Sequence, residues 1–378
     1  MKVDTFVYDG PTGWSNGGPA TRDGPETLVL IFGAPAYFRD PGVIEALVKA
    51  YPGAKIAGCS SAGEIEGRRI RDGTLSIAVA RFDRTRLRVA TAPVVDGESS
   101  ASAGETIARA LAAPDLRAVF VLSDGISVNG SKLLRGVHAV LPPSVVVTGG
   151  LAADGDRFQR TWVLAEGRPA ERTVTAVGFY GDAVRVGHGS RGGWDIFGPE
   201  REITRSSGNV LYELDGQPAL DLYEMYLGER ASGLPATALL FPLALRARSS
   251  DRKTLTRTVL SVDPSKRSMT FAGDVPQGSL AQLMHANFDR LIEGASAAGQ
   301  SAATDVSGES LTVAISCVGR RLVLGERTEE EVEATSDAMP PRSKLVGYYS
   351  YGEISPFAEG ECADLHNQTM TVTTLSEV

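Results

Sequence analysis

The sequence predicts an α/β protein with mixed α+β sheets: two domains built from repeated β-α-β-hairpin units, with an antiparallel insertion in the C-terminal half. Three observations predict it. Short apolar runs of strand type recur with a helical stretch between them. Each pair of runs ends in two glycines five residues apart, followed by a carboxylate. A region of alternating texture then separates the second copy from the third. Apolar runs of about five residues joined by helices imply βαβ crossovers and parallel strand pairs.

The elements follow in order. A strand over 3–8 leads into a Gly/Pro/Asn-rich loop that reaches residue 27. The first unit reads as a strand over 28–33 (LVLIFG), a helix over 43–50 and a strand over 54–58 (AKIAG). The second has 118–123 (AVFVLS), a helix over 132–140 and 144–149 (SVVVTG); the third has 311–316 (LTVAIS), a helix over 329–338 and 343–347 (SKLVG). Returning strands follow at 75–80, 174–180 and 370–375. The intervening bends are 58–64 (GCSSAGE), 150–156 (GLAADGD) and 347–353 (GYYSYGE). Paired glycines allow positive φ and close backbone approach, by a ligand or by neighbouring chain. Three bends in one relative place share a structural role; a shared binding role is the second reading.

Between the second and third units, 217–228 (QPALDLYEMYLG) reads as a helix closed by glycine. Segments 236–246, 254–262 and 269–272 alternate like antiparallel strands, 278–298 reads as a long amphipathic helix, and 299–308 as a polar linker. The expected divisions are 1–27 (strand and loop), 28–215 and 216–378.

Composition bounds the function. With 38 Lys and Arg against 46 Asp and Glu the net charge is −8, and no basic run exceeds a pair, which argues against nucleic acid and anionic membranes as partners. No segment approaches 18 uninterrupted apolar residues, so membrane insertion is not expected, and the first 27 residues lack the basic and apolar regions of a signal peptide. Cys59, Cys317 and Cys362 are far apart and odd in number, which fits a reducing, cytoplasmic compartment better than a disulfide framework.

Few motifs support catalysis. Residues 58–62 read G-x-S-x-A, near the hydrolase elbow, but the glycine-rich, charged stretch that follows predicts a hairpin where an elbow needs a helix. A P-loop needs lysine after its second glycine; these bends carry Glu64, Asp156 or Glu353, which repel phosphate. A carboxylate beside hydroxyls suits an ammonium- or hydroxyl-bearing ligand, or is a solvated turn residue. The four histidines, His138, His188, His285 and His366, share no metal-ligand spacing, and no metal site is expected. His366, Asn367 and Gln368 form a polar cluster ahead of a strand that either lines a pocket or satisfies loop backbone. Cys317 reads as a small buried hydrophobe ending a strand. Arg191, before two glycines and Trp194, either meets a ligand or flanks a packed tryptophan.

These residues resemble the FIST family of bacterial signal-transduction proteins. The resemblance rests on 58–64, on 213–228 (ELDGQPALDLYEMYLG), on 271–278 (FAGDVPQG), and above all on 347–354 (GYYSYGEI) with 365–377 (LHNQTMTVTTLSE). It implies N- and C-terminal FIST domains and a sensory role: binding of a small ligand, with amino acids proposed, beside a kinase, cyclase or chemoreceptor output. Haem and nitric oxide sensing in some relatives is the alternative, with His366, His285 or Cys317 as axial candidates. The sequence ends at Val378 without an output module, so a separate output protein is expected as partner. The resulting expectation is a binding protein, not an enzyme, whose small polar ligand sits between its domains. Candidate contacts are Ser60, Ser61 and Glu64 from the first bend, Ser350, Tyr351 and Glu353 from the third, and Arg191, His366, Asn367 and Gln368. The oligomeric state is left open.

Overall fold

The computed structural model describes residues 1–18, 23–250, 253–304 and 308–378. The expected loop before residue 27 and the expected linker over 299–308 therefore fall partly outside the described residues.

The first unit comprises β1 (Lys2–Asp9), β2 (Gly13–Trp14), β3 (Thr27–Gly33), α1 (Gly42–Ala50), β4 (Lys55–Ser60), the hairpin β5 (Glu64–Glu66) and β6 (Arg69–Arg71), and β7 (Leu75–Arg81). The second comprises β8 (Arg86–Pro93), α2 (Ser100–Leu111), β9 (Leu116–Ser123), α3 (Gly130–His138), β10 (Val146–Leu151), the hairpin β11 (Val163–Ala165) and β12 (Arg168–Ala170), and β13 (Thr173–Tyr180). The third opens with β14 (Val184–Arg191) and is then interrupted by β15 (Asp195–Ser207), β16 (Val210–Leu214), β17 (Gln217–Pro218), α4 (Ala219–Leu227), β18 (Leu243–Arg246), β19 (Leu255–Arg257), β20 (Val259–Asp263), β21 (Ser268–Phe271) and β22 (Leu280–His285). It resumes with α5 (Phe288–Ala302), β23 (Ser310–Cys317), α6 (Val318–Leu324), α7 (Thr328–Asp337), β24 (Ser343–Ser350), the hairpin β25 (Gly352–Pro356) and β26 (Ala363–His366), and β27 (Met370–Glu377).

Each unit builds one sheet in one order. The second strand lies parallel to the first, and the returning strand pairs antiparallel on the far side: β4-β3-β7-β1, β10-β9-β13-β8 and β24-β23-β27-β14. None keeps its own hairpin. The first unit's β5–β6 extends the third sheet beside β24, the third unit's β25–β26 extends the second beside β10, and the second unit's β11–β12 extends the first beside β4. Three hairpins exchanged in a closed ring give the scaffold a pseudo-threefold arrangement.

The first strands are apolar on both faces because both faces are covered. Leu28, Leu30 and Phe32, with Ala118, Phe120 and Leu122, and with Leu311, Val313 and Ile315, join one shared core where Phe32 stacks on Tyr348 at 4.7 Å. The alternate residues Val29 and Ile31 pack with Ile44 and Leu47 of α1, and Val119 and Val121 with Ile107, Leu133 and Leu134 of α2 and α3.

The insertion forms a separate antiparallel sheet, β19-β18-β22-β15-β16-β21-β20, packed on α4 through Leu211, Leu220, Tyr223, Leu243, Phe271 and Leu283. Two expectations are corrected here. The long helix over 278–298 is strand β22 followed by α5: Ala281 and Leu283 alternate into the sheet core, and Asn287 caps the helix by accepting from the Arg290 amide. Segment 236–246 is strand only from Leu243, after a 3₁₀ turn at Ala236–Leu240. Strand β14, upstream of residue 215, pairs along its whole length with β27, so the third sheet draws on chain from both sides of that position.

Candidate functional site

The three bends lie where each unit's second strand leaves its own sheet for its neighbour's. Gly58, Gly149 and Gly347 face Ile31, Val121 and Ala314 on the parallel first strands, and a Cβ at any of them would collide with that residue's carbonyl oxygen. The equivalent glycine of the second unit is thus Gly149, one residue before the expected Gly150. Asp156, expected to be the matching acid, is exposed.

The bends hydrogen-bond to one another. Ala62 N–H donates to Tyr349 O at 2.8 Å, Tyr349 N–H to Gly63 O at 2.9 Å, Ala153 N–H to Ser60 O at 3.0 Å and Tyr351 N–H to Leu151 O at 3.4 Å. The acids of the first and third bends are buried clasps of one design. Glu64 bonds Ser61 Oγ through one oxygen, while the other accepts from Thr74 N–H at 3.0 Å and Thr74 Oγ1 at 2.9 Å. Glu353 accepts from Ser350 Oγ at 2.6 Å, Thr369 N–H at 3.3 Å and Thr369 Oγ1 at 2.9 Å. Thr74 and Thr369 immediately precede the returning strands, so each acid ties a bend to the strand that closes its unit. Burial pushes Glu64 up to about 7 and Glu353 up to about 8. In the second unit Asp124 takes over, accepting from Ile126, Ser127 and Arg172 N–H and from Thr161 Oγ1.

The bends differ in what covers them. Arg321, paired with Asp72 at 2.7 Å, donates to Ala62 O and seals the first. The third opens onto a cavity of about 580 Å³ between the second and third units and the inserted sheet. Tyr351 is on its wall, stacked on Phe158 at 4.4 Å, with its hydroxyl donating to a buried Asp154 oxygen and to Gly155 O at 2.8 Å. Asn129 and Gly130 bring the start of α3 to the cavity, and Asn129 caps that helix through Lys132 N–H at 3.0 Å. Leu151, Leu239, Leu260, Phe271 and Leu365 supply apolar wall, while Asp96 and Arg172 are exposed charges at the edge.

Of the ten expected contact residues, Tyr351 is on this wall. Ser60 is buried and accepts from Trp162 N–H at 3.0 Å; with Ser61 and Glu64 it lies beneath the sealed first bend. Ser350 and Glu353 form the clasp that carries Tyr351. His366 is buried with Nε2 2.9 Å from Ser355 O, and Asn367 donates to His366 O at 2.9 Å. Gln368 is buried directly behind Gly319, which does line the cavity, and its Oε1 has no hydrogen-bond partner among the described residues. Arg191 is exposed at the end of β14 and bonds Ser190 O, away from the cavity, while Trp194 packs inside and donates to Gln368 O at 2.8 Å.

Haem does not fit these positions. Among the described residues the cavity wall holds no histidine; His366 is engaged within its sheet and His285 packs edge-on against Phe197. Cys317 does line the cavity, but burial raises its thiol far above the range in which a thiolate forms.

Sequence reasoning missed Thr258, a cavity residue that is 4% exposed and whose Oγ1 has no partner among the described residues. No pattern marks it, because its significance lies in what it does not touch. Asn129–Gly130 was readable as a helix cap, though not as a cavity wall.

The signature of the FIST N domain matches residues 27–217, and that of the FIST C domain matches 219–356. The chain belongs to the FIST family. FIST domains are associated with sensory proteins of signal transduction that bind small ligands. No curated protein matches the chain. The FIST C match stops at residue 356, yet β26 and β27 beyond it complete the second and third sheets. No helix among the described residues of this FIST protein is long and apolar enough to cross a membrane.

Proposed function

We propose that this FIST protein is a cytoplasmic sensor that binds a small zwitterionic metabolite of the amino-acid class in the cavity beside Tyr351, and passes the signal to a separate output protein. The observation that carries the reading is the unpartnered, buried Thr258 hydroxyl on the wall of a cavity of about 580 Å³. Buried polar groups are nearly always hydrogen-bonded, so an orphan hydroxyl on a residue that lines a cavity is an unmet demand that a ligand reaching that wall can answer once the side chain turns toward it. The volume lies within the roughly 300–1,000 Å³ usual for small-molecule sites.

The start of α3 supplies backbone amides and the positive end of a helix dipole to a carboxylate. Asp96 at the edge offers a counter-charge to an ammonium group, and the leucines with Phe271 accept an apolar side chain. Ser350 and Glu353 hold the bend that presents Tyr351; Gln368 backs the wall at Gly319, and Asn367 lies beside Gly352, which follows Tyr351 in the chain. Ser60, Ser61 and Glu64 brace the bend interface without reaching the ligand. Three free cysteines fit a reducing compartment.

A thermal-shift screen of the purified protein against the standard amino acids tests the reading. At least one compound is expected to raise Tm saturably, with about 2.7 kcal/mol of added stability at 100 times its Kd. Tyr351→Phe, which unties the wall from Asp154, is expected to weaken that compound. If no amino acid stabilises the protein, the reading fails.

A further inference from the structure

We propose a second site, an anion site for a singly charged carboxylate, in the cavity of about 290 Å³ that lies on the other side of Leu365 from the first. The residue that carries it is Arg257, at the end of β19 and 4% exposed. Its Nε donates to Asp274 O at 3.0 Å, and its Nη1 to Thr256 O at 3.1 Å and Leu365 O at 3.0 Å. Those three bonds fix the guanidinium plane. Both N–H groups of Nη2 are left without a protein acceptor among the described residues, and no carboxylate pairs with the guanidinium within 4.0 Å there.

The other charges lining this cavity are matched. Arg135 pairs with Asp274 at 3.2 Å, Arg246 with Glu200, and Asp364 with Lys253. Arg257 alone among these described cations has no carboxylate within 4.0 Å. Asp364 and Asp274 attract it from farther off, and Lys253 is shared between Asp364 and Glu361, so what the guanidinium lacks is a hydrogen-bond acceptor at Nη2. A buried, unpaired guanidinium is unfavourable unless something of opposite sign completes it. Burial pulls Arg257 down to about 10, still charged at neutral pH.

The two carboxylates lining the cavity favour an anion of low charge. A phosphate dianion would bring a second charge against Asp274 and Asp364. A carboxylate oxygen can accept from Nη2, and the Ser279 hydroxyl, which lines the same cavity and makes no side-chain hydrogen bond among the described residues, can serve the other oxygen. The site does not depend on the amino-acid reading of the first cavity.

The probe is acetate, titrated into the full chain by calorimetry at constant ionic strength against chloride, with inorganic phosphate as the second arm. Saturable acetate binding is expected, with phosphate at least about 10-fold weaker; the same margin is expected for acetate against Arg257→Met, from the loss of one charge-assisted bond. Arg191→Ala, exposed and outside both cavities, is expected to bind acetate as the parent does. Should Arg257→Met fail to fold, Ser279→Ala supplies the variant, with acetate weakened about 5-fold. No acetate binding by the parent, equal binding by acetate and phosphate, or binding unchanged in both cavity variants would each overturn the proposal.

Discussion

At the residue scale, the buried clasps Glu64 and Glu353 set a pH dependence whose sign can be worked out. Burial holds both acids above the ordinary carboxyl range, at about 7 and about 8, so the folded chain keeps protons that the unfolded chain has already released. The stability they contribute is full below the unfolded carboxyl range and is lost as pH rises through their folded values. The urea midpoint is therefore expected to fall between about pH 6.5 and about pH 8.5, above the histidine range, and the double variant Glu64→Gln, Glu353→Gln to flatten that slope. A parent midpoint that rises across the window would contradict the burial account. Asp72, held low by its hydrogen bonds to Arg321, titrates on the acid side. His188 and His366, held below the ordinary imidazole range by burial, add stability as pH rises toward about 6.5 and so oppose the clasps only below the window. Read from sequence, the acids stand at three equivalent bends, and the structure makes clasps of Glu64 and Glu353 while leaving Asp156 exposed. Nothing in GCSSAGE or GYYSYGE distinguishes an acid facing a ligand from one closing on Thr74 or Thr369, because those partners lie 10 and 16 residues downstream.

At the element scale, the bend glycines test the corrected register. Gly149→Ala drives a methyl group into Val121 backbone at positive φ, whereas at Gly150 the nearest obstacle is the end of the Tyr348 side chain. Gly149→Ala is expected to cost about 3 kcal/mol and Gly150→Ala less, measured by urea unfolding. The reverse order would restore the register read from sequence. What was legible follows from burial. β3, β9 and β23 are covered on both faces and read as unbroken apolar runs. β8 was not recognised because it is an edge strand whose outward residues include Arg86 and Arg88; β14 was not recognised because Gly187 and Gly189 interrupt it. β22 reads as helix because Leu280–His285 runs straight into the true helical pattern of α5, leaving Asn287 as the marker of the break.

At the scale of the whole molecule, the exchanged hairpins make the three sheets interdependent. Ile65 on β5 belongs by chain to the first unit but pairs with Gly347 on the third sheet. Ile65→Ala is expected to accelerate amide hydrogen exchange in β24 more than in β4, with unfolding of the scaffold remaining a single transition; faster exchange confined to β4 would count against the ring. The same ring sets the bends at one junction, and the insertion between β14 and α5 lays a separate sheet over one side of it. The chain thereby encloses a cavity that no single unit could form, and for that reason the repeats were readable while the cavity was not. Calorimetric titration of Thr258→Val with the amino acid that most stabilises the parent puts this account at greatest risk. Removing an unpartnered buried hydroxyl is expected to raise the stability of the ligand-free protein by about 1 kcal/mol while weakening the ligand at least about 10-fold. A ligand-free protein that loses stability and still binds with parental affinity would contradict it.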